Sequence, residues 1–306
     1  MTPLANGDWV CVTTNFSKPH SLLQLQISRD KARTWNPLAT VSEDRRHLDN
    51  GELIALPNKT LLLTGRSVVT THTPGGLSSY RLPVFQSADG GRTWTFLSQI
   101  ATSEPGAYTP GQPSQGLWEP HFFLLADHSL ACAYADETLS VKTPAFSQIV
   151  AEKVSRDGGR TWGASIVLAA QPGGGGQRPG MPVVARLKNG LYLAVYEVVG
   201  IGDADVYSKT SADGIHWAAG IGTPIAGQRA GPWVTCLQSG RLVVSSCENW
   251  ISYSDDNGLT WQLSPTSAET FGRAFSWPAI YEITPGQIAV MTSWHDVRLR
   301  WGTVRP

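Results

Sequence analysis

The chain has 306 residues, with 24 acidic and 24 basic side chains that leave a formal net charge of zero. A chain of this length can bury a large core, and charged residues make up only 16% of it, so neither nucleic acid nor an anionic membrane surface is an expected partner. No apolar run approaches about 18 residues and no charged-then-apolar leader precedes the first predicted strand, so we expect neither a membrane span nor a signal peptide. The composition favours an uncharged ligand.

One turn sequence recurs five times along the chain and divides it into similar units. Its clearest copy runs Ser155-Arg-Asp-Gly-Gly-Arg-Thr-Trp162, and the other copies begin at Ser28, Ser87, Ser211 and Ser254. In each copy the Asp can bond the backbone of its own turn, Gly supplies a positive φ, and Trp begins the next strand, which predicts a β-hairpin turn. The first copy has Ala32 in place of Gly, and the fourth is one residue shorter. Successive copies start 59, 68, 56 and 43 residues apart, a spacing typical of a propeller or a solenoid with one copy per four-stranded unit.

Alternating apolar residues predict the strands between these turns. In chain order they cover 8–14 and 21–28, then 53–56, 60–66 and 83–87, with exposed loops at 69–79 and 104–115. The third unit begins at Gly116, and later units begin at Arg178, Gly231 and Arg273. The first unit starts at its second strand and the sixth ends at its third. We therefore predict one all-β domain over residues 1–306, a six-bladed β-propeller of four-stranded antiparallel blades from which two strands are missing.

The four cysteines have no spacing typical of a metal site, and no motif implies a cofactor. Cys236 and Cys247 flank one hairpin, so they either form a disulfide or remain buried thiols.

The innermost strands of a closed propeller surround a channel, and we expect the functional site where these strands begin. The side chains there include Arg45, Arg46, His47, Trp118, Glu119, Arg178, Arg229, Trp233, Arg273 and Trp277. Indole faces stack on the C–H surfaces of sugars, and Arg guanidinium groups bond hydroxyls. This ring of residues therefore predicts a sugar site.

Three glutamates are candidates for glycoside hydrolysis, which with retention needs two carboxyl groups about 5–5.5 Å apart. Glu119 begins the third inner strand, and Glu197 ends the second strand of the fourth unit. Glu137 holds the equivalent place in the third unit and competes with Glu197 for the role. The alternative for each is a solvated or ion-paired side chain.

The repeated turn resembles the Asp-box signature of sialidase-like propellers (BNR repeats). The stretches Gly116-Leu-Trp-Glu-Pro, Tyr134-Ala-Asp-Glu, Arg178-Pro-Gly-Met-Pro-Val-Val and Val195-Tyr-Glu further resemble glycoside hydrolase family 93. That family consists of secreted exo-α-1,5-L-arabinanases that release arabinobiose from linear arabinan. The chain departs from it in lacking a Tyr-Pro-Arg segment in the first inner strand, and Arg66 lacks its usual neighbours.

The resemblance implies a secreted, monomeric hydrolase of oligo- or polysaccharides without a cofactor. It implies that Glu119 and Glu197 are the catalytic pair. We assign Glu119 as nucleophile and Glu197 as acid/base, although the order of these roles is open. The predicted substrate-binding residues are Trp118, Arg66, Arg178, Trp233, Arg273, Trp277, Tyr207 and Glu137.

Two other functions compete with this prediction. A sialidase needs three arginines and a Tyr nucleophile, but the chain has no Phe-Arg-Ile-Pro-like segment, and Tyr281 falls inside a predicted strand. A carbohydrate-binding propeller without catalytic activity is favoured by the missing strands.

Overall fold

The computed structural model describes residues 1–16, 18–70, 76–107, 115–138, 148–171, 177–248, 250–264, 276–294 and 296–304. These residues form six antiparallel sheets that follow one another along the chain. The sheets are the blades of a β-propeller, which confirms the predicted fold class. Each blade begins at the channel with its first strand and ends at the outside with its last.

The strands divide among the blades as follows. Blade 1 contains β1 (Thr2–Pro3), β2 (Trp9–Asn15), β3 (Leu22–Ser28) and β4 (Asn36–Val41), and blade 2 contains β5 (His47–Ala55), β6 (Leu61–Thr70), β7 (Leu77–Ser87) and β8 (Thr95–Ala107). Blade 3 contains β9 (Leu117–Leu124), β10 (Leu130–Asp136), β11 (Ile149–Ser155) and β12 (Ile166–Ala169), and blade 4 contains β13 (Arg178–Arg186), β14 (Tyr192–Val199), β15 (Asp205–Ser211) and β16 (Thr223–Arg229). Blade 5 contains β17 (Trp233–Cys236), β18 (Leu242–Ser245), β19 (Ser252–Ser254) and β20 (Gln262–Leu263), and blade 6 contains β21 (Ser276–Thr284), β22 (Gln287–Trp294) and β23 (Asp296–Thr303).

The first and last blades are the two that differ from the rest. The inner strand of blade 1, which we expected to be missing, is present as the two-residue β1, and blade 6 has three strands among the described residues. The Arg33 guanidinium of blade 1 lies 5.3 Å from the ring centre of Trp301 on β23, so these two blades are in contact. Two predicted loops were partly wrong, because the ends of β6, β7 and β8 extend into 69–79 and 104–115.

The repeated turns derive their shape from hydrogen bonds inside each copy. In the second copy, Asp89 Oδ1 accepts the Thr93 backbone N–H at 3.0 Å, and Asp89 Oδ2 accepts the Thr93 hydroxyl at 2.6 Å. The Trp94 indole N–H donates to the Gly91 carbonyl at 2.9 Å, and Gly91 has φ +90°. In the shorter fourth copy, His216 Nδ1 lies 2.6 Å from Asp213 Oδ2 and takes the place of the threonine hydroxyl. Each turn is therefore held by contacts within about five residues.

The hydrophobic core lies between successive blades. One cluster, for example, joins Leu62 and Leu82 of blade 2 to Phe122 and Tyr134 of blade 3, and similar clusters join each later pair. Burial of these faces stacks the blades side by side around the channel. Among the described residues, no helix has the length and apolar character needed to cross a bilayer.

Candidate active site

A bend at the same place in five inner segments aims side chains at one end of the channel. The residue at the bend has a left-handed backbone, and these residues are Asn50, Glu119, Met181, Gly231 and Trp277. The ladder shifts register beside four of them, in β5, β9, β13 and β21. A bulge of this kind re-aims a side chain, and left-handed residues other than glycine are costly enough to concentrate at functional sites. Four of the five precede proline in the sequence, which is a signal that could have located this ring.

Glu119 occupies the bend of blade 3 and faces blade 4. Its Oε2 accepts the backbone N–H of Met181, the bend residue of blade 4, at 2.9 Å. The pKa of the Glu119 carboxyl is raised from 4.5 to about 7. Burial is the main cause and the negative charge of Glu197 adds to it, while the Met181 N–H and the positive charges of Arg66 and Arg178 oppose the rise. Glu119 is therefore a carboxyl group that keeps its proton close to neutral pH.

Glu197 repeats this arrangement one blade further on. It lies on β14, and its Oε2 accepts the backbone N–H of Gly231, the bend residue before β17, at 2.7 Å. Burial raises the pKa of the Glu197 carboxyl, while the Gly231 N–H and Arg178 oppose that rise. Both candidate carboxyls are thus on adjacent blades, each held by the next blade's bend.

Gly180 lies between the two carboxyls. It is the β13 partner of Glu197 in the ladder, and a Cβ at Gly180 would lie 3.5 Å from Glu119 Oε2. The same Cβ would meet the Gln148 side-chain nitrogen at 2.8 Å. A side chain at this position would therefore have to displace the Gln148 amide and would contact Glu119.

Arg178 is oriented by residues of blade 3. Its Nη2 donates to Glu137 Oε1 and, at 2.7 Å, to Gln148 Oε1. Glu137 is only 2% exposed, and its Oε2 also accepts the Gly116 N–H at 2.9 Å. Glu137 is thus an ion-paired residue that positions Arg178, which was the alternative considered for it.

Arg66 is oriented in a similar way on blade 2. Its guanidinium bonds both oxygens of the buried Asp49, at 2.7 and 2.6 Å, and lies 4.7 Å from the ring centre of Trp118. A Cβ at Gly116 would come within 2.3 Å of that indole, so only glycine there leaves room for the ring. Arg66, Trp118 and Glu119 are therefore brought together, as the sequence predicted for a single site.

The remaining predicted residues fall in different places. Trp277 is 57% exposed, and its ring lies over Gly231, where a Cβ would approach within 2.3 Å. Trp233 lies deeper, with its ring centre 5.6 Å from that of His121 and 5.2 Å from that of Tyr281. Tyr207 lies on β15, the third strand of blade 4, and packs against the core cluster between blades 3 and 4 rather than at the channel. Arg273 lies outside the described residues.

Asp49, Gln148 and Gly180 are site residues that sequence reasoning missed. No motif marks Gln148, because its role comes from contact with Arg178 and with the Pro179 carbonyl at 2.8 Å. Asp49 precedes the bend at Asn50, so aligning the inner strands on their bends could have found it.

The four cysteines are free, so Cys236 and Cys247 are not bonded. No group of three or more His, Cys, Asp or Glu among the described residues could hold a metal ion.

Solved structures similar to this chain include carbohydrate-active enzymes. A Penicillium chrysogenum α-L-arabinanase complexed with arabinobiose matches with a TM-score of 0.80 and 22% identity over 98% of this chain and 91% of that one. A family 93 α-L-arabinofuranosidase of Fusarium graminearum, also with arabinobiose, matches with a TM-score of 0.76 and 21% identity over 95% and 86%. A Streptococcus pneumoniae sialidase matches with a TM-score of 0.66 and 11% identity over 98% and 66%. At these identities the likeness shows a shared fold.

Sequence comparison shows the family. No curated protein sequence matches the chain significantly. The model of the BNR repeat-like domain matches residues 20–290, which is most of the chain. With its repeated turns and its six blades, this protein belongs to the BNR repeat-like domain family.

Proposed function

We propose that this protein is a retaining exo-glycoside hydrolase, and specifically an exo-α-1,5-L-arabinanase that releases arabinobiose from linear arabinan. The observation that carries the proposal is the pair of carboxyls on adjacent blades, Glu119 and Glu197, which both have a raised pKa and share the neighbouring Arg178. The arabinobiose complexes of two structurally similar enzymes support the choice of sugar.

The charge states favour a division of roles opposite to the one assigned from the sequence. Glu119 keeps its proton up to about pH 7, so it fits the acid/base. Glu197 carries the charge that raises the pKa of Glu119, so it fits the nucleophile. A protonated Glu119 beside an ionised Glu197 gives the pair both functions at once.

The proposed reaction has two steps that conserve the anomeric configuration. In the first, a Glu197 oxygen attacks the anomeric carbon, the glycosidic C–O bond breaks, and the Glu119 proton passes to the leaving oxygen. In the second, the Glu119 carboxylate takes a proton from water, the water oxygen attacks the anomeric carbon, and the bond to Glu197 breaks. Glu119 ends protonated and Glu197 ionised, as both began.

The arginines around the site favour an uncharged substrate. Arg66 is neutralised by Asp49, Arg178 by Glu137, and Arg229 by Glu248 and Asp203. Each guanidinium keeps donors for hydroxyl groups but has no excess positive charge to offer a substrate carboxylate. This argues against the sialidase alternative. The half-exposed Trp277 supplies an indole face at the mouth on which a sugar ring can stack.

The test is a chromatographic product profile on debranched linear arabinan, with the anomeric configuration of the first product followed by NMR. We expect arabinobiose as the early product, with retained configuration. Glu119→Gln and Glu197→Gln should each lower kcat by roughly 10²- to 10⁴-fold while the thermal melt stays cooperative. Glu104→Gln, which alters an exposed ion pair with Arg81, is the matched control and should keep full activity.

Two outcomes would contradict the proposal. Full activity in either active-site variant would remove that residue from the mechanism. A folded protein that binds arabino-oligosaccharides and loses this affinity on Trp118→Ala, but never cleaves them, would instead indicate a carbohydrate-binding propeller.

Because arabinan is a polymer that cells must degrade outside, the proposal includes secretion of the protein.

A further inference from the structure

A small cavity lies beside the candidate active site, on the outer side of blades 4 and 5. Its volume is about 170 Å³, and it is lined by β16 residues 224–229 and by Asp205, Glu248 and Trp250. Typical ligand pockets enclose about 300–1,000 Å³, so this cavity accommodates one small ring and not several. None of the residues assigned to catalysis lines it.

The cavity and the active site share a wall. Arg229 lines the cavity, and two residues later Gly231 donates its N–H to Glu197 Oε2 at 2.7 Å. The Cys247 backbone N–H bonds the carbonyls of Arg229 at 3.1 Å and Ala230 at 2.9 Å, which joins this segment to the residue before Glu248. A molecule that extends outward from Glu197 would therefore reach the cavity next.

Trp250 provides a rigid aromatic face in the cavity. Its indole N–H donates to the Gly227 carbonyl at 2.7 Å, which fixes the orientation of the ring. Gly227 has φ +76°, and a Cβ there would lie 3.5 Å from the indole nitrogen, so the backbone approaches the ring closely. An amphipathic ring held in one orientation binds another ring at low entropic cost.

Polar groups around the indole are held in place by their own partners. Arg229 is bonded by Glu248 and, at 2.9 Å, by Asp203. The Gln228 amide is 2% exposed and bonds Ser252 at 2.8 Å and Ser246 at 2.6 Å. The single guanidinium of Arg229 faces the lining carboxylates of Asp205 and Glu248 as well as Asp203, so the cavity offers fixed donors and acceptors and no net positive charge for an anion. An aromatic face beside such groups suits an uncharged, hydroxyl-rich ring.

We propose that this cavity is an additional sugar-binding subsite, which holds one unit of the same arabinan chain whose scissile bond lies at Glu119 and Glu197. The proposal rests on the proposed function, because the chain that it binds is the substrate of that site. It identifies Trp250 as a determinant of preference for longer substrates. Trp250 makes no contribution to bond cleavage.

The test compares kcat/KM on linear arabino-oligosaccharides of three to seven units. Wild type should gain efficiency with length, and Trp250→Ala should lower kcat/KM for the longest by roughly fivefold to tenfold while the shortest substrate is unaffected. Trp250→Leu keeps apolar bulk without an aromatic face, and it carries the same expectation if the alanine variant does not fold. Trp301→Ala, which removes another partly buried tryptophan on β23, is the matched control and should change neither value.

A calorimetric titration in the Glu119→Gln background separates the two proposals. Arabinose and an arabinoheptaose are the probes, and the heptaose should bind more tightly, with the difference lost on Trp250→Ala. If the protein cleaves arabinan but Trp250→Ala loses neither kcat/KM on the longest substrate nor affinity for the heptaose, the subsite is overturned and the proposed function stands. Heptaose binding that depends on Trp250 in a protein without turnover would overturn the proposed function alone. Arabinose that binds as tightly as the heptaose would overturn the assignment to a polymer chain.

Discussion

Replacing Glu119 by Gln should stabilise the protein at alkaline pH. The folded pKa is about 7 against 4.5 when the carboxyl is free, so between these values the folded state holds a proton that the unfolded state has lost. Stability therefore falls as pH rises through this window and stays lower above it. At 1.36 kcal/mol per pKa unit the full penalty is about 3 kcal/mol, and because Glu119 is only partly buried, solvent screening lowers the expected value to roughly 2 kcal/mol.

Glutamine removes this penalty without removing the local contact. Its side-chain oxygen can still accept the Met181 N–H that Glu119 accepts at 2.9 Å. The free energies of unfolding of Glu119→Gln and wild type should therefore coincide near pH 4. At pH 8 the variant should be roughly 2 kcal/mol more stable, although the proposed mechanism predicts that it is inactive. Urea denaturation at pH 4, 6 and 8, followed by tryptophan fluorescence, measures both values.

Glu137→Gln is the matched control, because the same chemical change should have the opposite effect there. Glu137 is buried against Arg178, and loss of its charge leaves that guanidinium without its ion partner. We expect a loss of about 1–3 kcal/mol at neutral pH. A stability difference for Glu119→Gln that does not grow with pH would refute the reasoning. So would a Glu137→Gln variant that is as stable as wild type.

Three further predictions follow from other contacts. Glu152 is fully buried, accepts the Trp217 indole N–H at 3.0 Å and has a pKa raised by burial to about 8. The stability of Glu152→Gln in urea should therefore match that of wild type near pH 4 and exceed it above pH 8. Equal stability at pH 9 would contradict this. Gly180→Ala should lower kcat/KM on arabino-oligosaccharides by roughly tenfold or more. The alanine Cβ would lie 2.8 Å from the Gln148 side-chain nitrogen and would displace Gln148, and with it Arg178. Unchanged kinetics would show that the site tolerates the methyl group. Asp157→Ala removes four hydrogen bonds of the third repeated turn. The free energy of unfolding, measured by urea denaturation, should fall by about 1–3 kcal/mol, with little effect on KM. A variant of unchanged stability would show that this turn does not depend on these bonds.

The fold was predictable because its strongest signals are local. In every copy of the turn, Asp bonds backbone and side-chain groups no more than four residues away, as Asp157 does with Thr161. The alternation of apolar residues between the turns then specifies the faces that pack between blades. The short inner strand of blade 1 and the extended ends of β6, β7 and β8 were harder to predict, because strand ends depend on pairing with neighbours.

The candidate site was predictable only in part. Trp118 and Glu119 were found from the sequence because they head an inner strand. Glu137 and Glu197 stand in equivalent places at the ends of second strands, and sequence position could not distinguish them. Their surroundings differ in the structure, since Glu137 pairs with Arg178 and Glu197 bonds the Gly231 N–H.

By itself, then, the sequence determined the number of blades, the turns that join their outer strands and the identity of the acidic residues near the channel. Tertiary structure alone decided which acid is ion-paired and which retains a proton. The contacts responsible join residues far apart in the chain, with a sequence separation of 62 for Glu119 and Met181 and of 41 for Glu137 and Arg178. The pKa of a carboxyl depends on burial and on the charges around it, and these exist only once neighbouring blades have packed together.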